Sequence, residues 1–183
     1  MVRHRAGLNG DAMQRVVVIG NSGGGKSTLA RRLAARLGLV HHEIDGLLWQ
    51  PGWVPTPVEA YEAGHALLIG GSGWIIDGLG RRESIPARLE RATDIVLIDM
   101  PLWMHFWLAA ERQMAWPALR PEERPAGLVQ APPTEALFRT IWEVDRDWMP
   151  GIRAAVASAE QRGVRVTRID SVSGTDAFMA AVP

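Results

Sequence analysis

The sequence predicts an α/β fold, a three-layer αβα sandwich with helices on both faces of a parallel sheet, and three observations predict it. Segments of strand and helix character alternate from end to end. The strand segments are short apolar runs, as expected of strands covered on both faces. A glycine-rich loop, GNSGGGKS, joins the first of these runs to the first helical stretch. The 183 residues suit one domain with a core of its own, and a hydrophobic share of 47% marks a globular chain rather than a disordered one.

Residues 1–12 carry charge but no apolar run, so they read as a disordered extension rather than a signal peptide, and the domain is expected over 13–183. Val16–Gly20 is an apolar run ending in glycine, a buried strand. Lys26–Leu37 places Leu29, Leu33 and Leu37 on one helical face, and Gly38 stops that helix. Val40–Ile44 is a weaker second strand ending at Asp45, and QPGWVPTP (50–57) is a loop by its prolines and glycine. Thr56-Pro57-Val58-Glu59 then has a helix-start pattern, with Thr56 as cap and a helix running to about Ile69.

A third strand, Trp74–Ile76, ends at Asp77; a helix covers Ser84–Arg91; a fourth strand, Ile95–Ile98, ends at Asp99. Leu102–Trp116 is helical. Residues 117–133 hold five prolines and no period, which makes them a loop or a flap. Helices follow at Thr134–Trp148, capped by Thr134, and at Pro150–Arg162, stopped by Gly163. Val164–Ile169 is the last strand, and Ser173–Val182 is a closing helix with Ser173 as cap.

Composition removes several classes. The formal net charge is zero, which argues against a nucleic-acid surface or a basic membrane patch. There is no cysteine, hence no disulfide framework and no thiolate metal site, and this fits a reducing cytoplasm. No stretch of transmembrane length is apolar throughout. Eight tryptophans are many for this length, and they read either as helix packing or as the wall of an aromatic substrate site.

Gly20-Asn21-Ser22-Gly23-Gly24-Gly25-Lys26-Ser27 fits G-x-x-x-x-G-K-[ST], the Walker A or P-loop motif, without mismatch, and Thr28 follows it. The glycines let backbone N–H groups converge on an anion at the positive end of the next helix. Lys26 can reach the outer phosphates of a nucleoside triphosphate, and Ser27 offers a hard oxygen to Mg²⁺. No Asn-Lys-x-Asp base-recognition motif of the GTPases follows. A kinase of a small acceptor is the economical reading. Asp45, Asp77 and Asp99 each end a predicted strand, and ligands of open α/β sheets lie beyond the strands' carboxyl ends. Asp77 and Asp99 compete for a magnesium-linked role; Asp77 is preferred because Gly78-Leu79-Gly80-Arg81-Arg82 opens space beside arginines suited to an anionic acceptor. Asp45 can deprotonate an acceptor hydroxyl, with Trp49 and Trp53 bordering the acceptor. Arg112 can close on phosphates; Arg120, Arg124, Arg139 and Arg146 are weaker candidates of the same kind. His41 and His42 have no partner at metal spacing and read as structural or solvent-facing, and His105 as a packed residue.

Together GNSGGGKSTLARRLAARLG, IDGLLWQPGWVPTP, WIIDGLGRR, DIVLIDMP with the tryptophan-rich helix after it, FRTIW and RVTRID span nearly the whole chain from Met13. They resemble the adenylate-kinase-like P-loop kinases, most of all the small bacterial group known as DNA topology modulation proteins. The resemblance implies a five-stranded sheet in the order 2-3-1-4-5, a short lid at about 117–133, and use of ATP with Mg²⁺. Asp77 falls on the aspartate of the adenylate kinases' Asp-Gly-Phe-Pro-Arg, Arg81 on the arginine that holds the acceptor phosphate, and Arg112 on the second of two lid-flanking arginines. Two departures stand out. Leu108 replaces the first lid-flanking arginine, and Glu143, Asp145 and Asp147 intrude where the group has arginines, leaving mainly Arg146. Either the acceptor is less anionic than a nucleotide monophosphate or activity is reduced.

The expectation is an ATP-dependent phosphotransferase, a monomer or homodimer, that binds ATP (or another nucleoside triphosphate) with Mg²⁺ through Gly20–Thr28. Lys26, Asp77, Arg112 and Asp45 would be catalytic. Ser27 and Asp77 would hold the metal, and Asp45, Trp49, Trp53, Arg81 and Arg146 the acceptor. The alternative is a nucleotide-binding regulatory protein with weak or no transfer.

Overall fold

The computed structural model describes residues 12–120, 124 and 130–183; residues 1–11 of the expected extension and the middle of the expected lid lie outside the described residues. In chain order the elements are β1 (Arg15–Gly20), α1 (Lys26–Leu37), β2 (His41–Glu43), α2 (Ile44–Leu48), β3 (Trp49–Gln50), β4 (Val54–Pro55), α3 (Val58–Gly70) and β5 (Trp74–Asp77). Then follow α4 (Ile85–Arg91), β6 (Asp94–Ile98), α5 (Leu102–Ala115), α6 (Thr134–Glu143), α7 (Met149–Gln161), β7 (Arg165–Ile169) and α8 (Val172–Ala181).

Five strands form one sheet in the order β2-β5-β1-β6-β7, every pair parallel. Counted within that sheet these are its second, third, first, fourth and fifth strands. The numbering is shifted only by β3 and β4, a short antiparallel hairpin where a plain loop was expected. Alternation along the strands builds three layers. Val17, Ile19, Ile76, Ile95 and Leu97 face Ile85 and Leu89 of α4 and Ile152 and Val156 of α7. Val16, Val18, Ile75, Val96 and Ile98 face Leu29 and Leu33 of α1 and Phe178 of α8. A smaller cluster joins α5 to α6 through Ala109, Leu137 and Ile141, with Phe106 and Phe138 in ring contact at 5.3 Å. Among the described residues no helix is long and apolar enough to cross a membrane.

Four local expectations are corrected. β2 ends at Glu43, and Asp45 lies in the short helix α2 rather than at a strand end. Thr56 does not cap α3, because its N–H donates back to the Leu48 carbonyl (2.9 Å) to close the hairpin, and Pro57 takes the cap position. Thr134 is the first residue of α6, after Pro133, and makes no cap bond. At the last helix the capping oxygen comes from Ser171, which accepts from the Gly174 N–H at 3.2 Å, and Ser173 falls inside α8. A further difference lies between α6 and α7. The two run on through a π turn at Val144–Trp148, in which the Met149 N–H donates to the Val144 carbonyl, and Pro150, which has no N–H to donate, follows directly.

One buried histidine makes a stability prediction. His65 of α3 stacks on Tyr61 at 5.8 Å between ring centroids, is 5% exposed, and has no hydrogen-bond partner on Nε2. Burial, with the Arg88 guanidinium adding to it, pushes its pKa down to about 4, so the ring is neutral in the fold. The unfolded chain takes up that proton below about 6.5. Stability from this group is therefore full above that pH and drains as pH falls towards about 4, by roughly 1–3 kcal/mol. Urea unfolding of wild type and His65→Phe should show a gap that changes in this direction over that window, and a pH-independent gap would contradict it.

Candidate active site

The sheet is parallel, so its strands deliver their carboxyl ends to one edge, and the site lies there. β1 turns into the phosphate loop at Gly20, where a Cβ would lie 2.2 Å from the Ile98 carbonyl oxygen of β6. Gly25 starts α1 with φ 75°, and a Cβ there would meet nothing, because it would project into open cleft. The loop is braced from behind. Asn21 is fully buried, and its Nδ2 donates to the Ile141 carbonyl (2.8 Å) while its Oδ1 accepts from the Ser22 N–H (2.7 Å). The buried His105 ring donates from Nδ1 to the Ser22 carbonyl at 2.9 Å. Burial first, then Lys26, holds that imidazole's pKa below its ordinary value.

A cleft of about 680 Å³ opens in front of the loop, lined by Ser22, Gly23, Gly25, Lys26, Ser27 and Thr28 of the expected nucleotide set. Gly20, Asn21 and Gly24 stand behind it as structural supports rather than on its wall. Lys26 Nζ donates to the Asn21 carbonyl across the loop at 2.8 Å. Burial lowers the Lys26 pKa, opposed by Asp45 and Asp77. Ser27 Oγ donates to Asp77 Oδ2 at 2.5 Å, and His41 Nε2 donates to the other oxygen of Asp77 at 2.8 Å. Asp99, its rival in the sequence, is instead paired with Arg153 at 2.8 Å and lines no part of the cleft.

Asp45 faces the cleft from α2, exposed on one side and crowded by protein on the others. Desolvation raises its pKa, with Lys26 opposing and Asp77 adding to the rise. Glu43 also lines the cleft; its pKa is raised first by burial, and Arg31 at 2.7 Å partly offsets this. Arg112 and Arg120 also line the cleft, with Leu108 one turn before Arg112.

A second cavity of about 360 Å³ adjoins the first, and Ser22, Asp45, Arg112 and Trp116 line both. Trp49, Trp53 and Trp148 wall it, the first two edge to face at 5.9 Å. Trp74 is core, and these three face open space. Arg81 and Arg146 line neither cavity. Arg81 gives its N–H to the Tyr61 hydroxyl at 3.1 Å, and Arg146 lies in solvent with both its bonds on Asp147.

Two residues were missed. His41 was set aside as structural or solvent-facing, yet it orients Asp77; nothing in the spacing shows this, and only the pairing of β2 with β5 brings the two together. Arg88 carries no signal beyond its place in the helix over Ser84–Arg91, and it is fully buried, donating to the Gly78 carbonyl at 3.1 Å and to the Leu79 carbonyl. It ties down the loop that leaves Asp77. Arg88→Met keeps much of the stem and strands both carbonyls, so urea unfolding should show a loss of about 2–5 kcal/mol; a loss below about 0.5 kcal/mol would mean that the loop is held otherwise.

The residues present fit a magnesium-bound triphosphate. Among the described residues no three carboxylates or histidines form a metal cage. One hydroxyl and one carboxylate in contact suit an ion that takes its other oxygens from phosphates and water.

No family model matches the sequence, and neither does any curated protein. Among solved structures, shikimate kinase from Acinetobacter baumannii, in complex with shikimate, matches over 92% of this chain and 89% of its own, at 14% identity and a TM-score of 0.54. A gluconokinase from Sinorhizobium meliloti matches at 18% identity over 81% of this chain and 94% of its own, with a TM-score of 0.42. The chain shares its αβα fold with that shikimate kinase.

Proposed function

We propose that the chain, as a single catalytic unit over 13–183, is an ATP-dependent phosphotransferase acting on a small hydroxyl compound. One observation carries this reading: a polar cleft built on the phosphate loop and an aromatic cavity meet at Asp45 and Arg112. That is the layout needed to bring two substrates into line. The loop amides and Lys26 would hold the triphosphate, and Ser27 and Asp77, fixed by His41, would hold Mg²⁺. The metal, when bound, neutralises charge on the β- and γ-phosphates. Asp45 accepts the proton of the acceptor hydroxyl as that oxygen bonds to the γ-phosphorus. The bond from the γ-phosphorus to the β-phosphate's bridging oxygen breaks, and ADP leaves. Arg112, at the junction, stabilises charge on the group in transit.

Two measurements test this. Calorimetry should show magnesium-assisted ATP binding, and labelled ATP should pass its γ-phosphoryl group to a member of a panel of small alcohols. Arg146 lying in solvent against Asp147 favours the alternative, a nucleotide-binding regulatory protein with weak or no phosphoryl transfer. Tight ATP binding with no transfer to any alcohol would decide for that alternative.

A further inference from the structure

The walls of the second cavity say which acceptor it suits. Among the described residues that line it, Arg112 is the one cation, and it also fronts the phosphate cleft. The carboxylates are two, Asp45, which also lines the phosphate cleft, and Glu143, which lines this cavity alone. A phosphorylated or carboxylate acceptor would therefore meet two negative charges and share its one positive partner with the triphosphate. Apart from the hydroxyl residues Ser22 and Thr140, the rest of the wall is aromatic and aliphatic. Tryptophan faces attract cations through the ring quadrupole. The Trp148 ring already attracts one cation, the Arg82 guanidinium 5.9 Å from its centroid, although Arg82 itself does not line the cavity.

The backbone is shaped to assemble this wall. Glu143 and Trp148 are five residues apart, which in an α-helix puts them roughly 140° apart around the axis. The π turn over Val144–Trp148 closes bonds between residues five apart and brings both to one cavity.

Resting on the phosphotransferase reading above, we infer that the acceptor is a hydroxyl compound with a cationic nitrogen. The nitrogen is seated among Trp49, Trp53 and Trp148 beside Glu143, and the hydroxyl points to Asp45. The reaction is the transfer already written: the hydroxyl proton passes to Asp45, the oxygen–phosphorus bond forms, and ADP departs. Nucleotide monophosphates and sugar acids are excluded by charge.

An isosteric series tests the inference without knowledge of the natural acceptor. Choline, its neutral isostere 3,3-dimethyl-1-butanol and the anion 3-hydroxybutyrate are titrated by calorimetry into the full chain loaded with magnesium and a non-hydrolysable ATP analogue. Choline is expected to bind about tenfold more tightly than the neutral isostere, and the anion most weakly. Glu143→Gln should cut choline's advantage to roughly threefold or less, with affinity for the ATP analogue as the internal control. Equal or tighter binding of the neutral or anionic probe, no binding of choline, or an unchanged preference in Glu143→Gln overturns the inference. A cation preference without phosphoryl transfer to any acceptor leaves this cavity assignment standing and removes the phosphotransferase reading instead.

Discussion

Lys26→Met is expected to lower phosphoryl transfer by about 10²–10³-fold or more while leaving the fold intact. The ammonium group is the one positive charge that the phosphate loop itself carries, and it bonds across that loop to the Asn21 carbonyl at 2.8 Å. Burial disfavours its charge, and the carboxylates of Asp45 and Asp77 restore part of it. A triphosphate would supply a stronger acceptor in the same place, so the charge is most stabilised when the ligand is bound. Methionine preserves the stem and removes the charge. The buried Asn21 carbonyl loses one bond, while the desolvated ammonium is removed with it, so the cost in stability should stay within about 1–3 kcal/mol. Thermal unfolding checks that cost, and steady-state kinetics with calorimetry checks the loss of turnover and of ATP affinity. Unchanged turnover in a folded Lys26→Met would remove the loop from the chemistry.

The sheet and the phosphate loop were legible because both are local. Apolar runs of strand length, the Gly20–Ser27 motif and the leucines of α1 each declare themselves within about a dozen residues, and the structure places α1 at Lys26–Leu37 as expected. What was illegible depends on contacts between distant segments. His41 reaches Asp77 across 36 residues, and Asn21 reaches the Ile141 carbonyl across 120. Neither has a spacing that sequence reading can count. Arg88 was hidden for another reason. A helical arginine reads as surface, and only the tight turn after Asp77, with φ of 100° at Gly78 and 63° at Gly80, exposes carbonyls that a buried guanidinium can bind. Arg81 illustrates the converse. Its position beside glycines suggested an acceptor clamp, but it lines neither cavity. Asp45 was identified as a candidate for the wrong local reason, a strand end, and it reaches the junction of the two cavities through α2.

Asp45→Asn is the second substitution with a large expected effect, and it separates catalysis from binding. The side chain lines both cavities, so it is the carboxylate placed to meet an acceptor hydroxyl and the phosphoryl group together. Asparagine keeps the shape and one acceptor oxygen but cannot take a proton. Acceptor-dependent transfer should fall by about 10²–10⁴-fold, measured with the first acceptor that the alcohol panel yields, while ATP affinity stays within a few-fold. The pH profile adds a second reading. Desolvation raises the Asp45 pKa above the ordinary carboxylate value, and Lys26 offsets only part of that rise. A base must be deprotonated to act, so the wild-type rate should fall as pH drops through this raised value, higher than an exposed aspartate would place it. In Asp45→Asn the residual rate should lose that acid limb. An Asp45→Asn protein with near-normal transfer and an unchanged acid limb would show that the proton leaves by another route, and Glu43, whose pKa is also raised by burial in the same cleft, would be the next carboxylate to test.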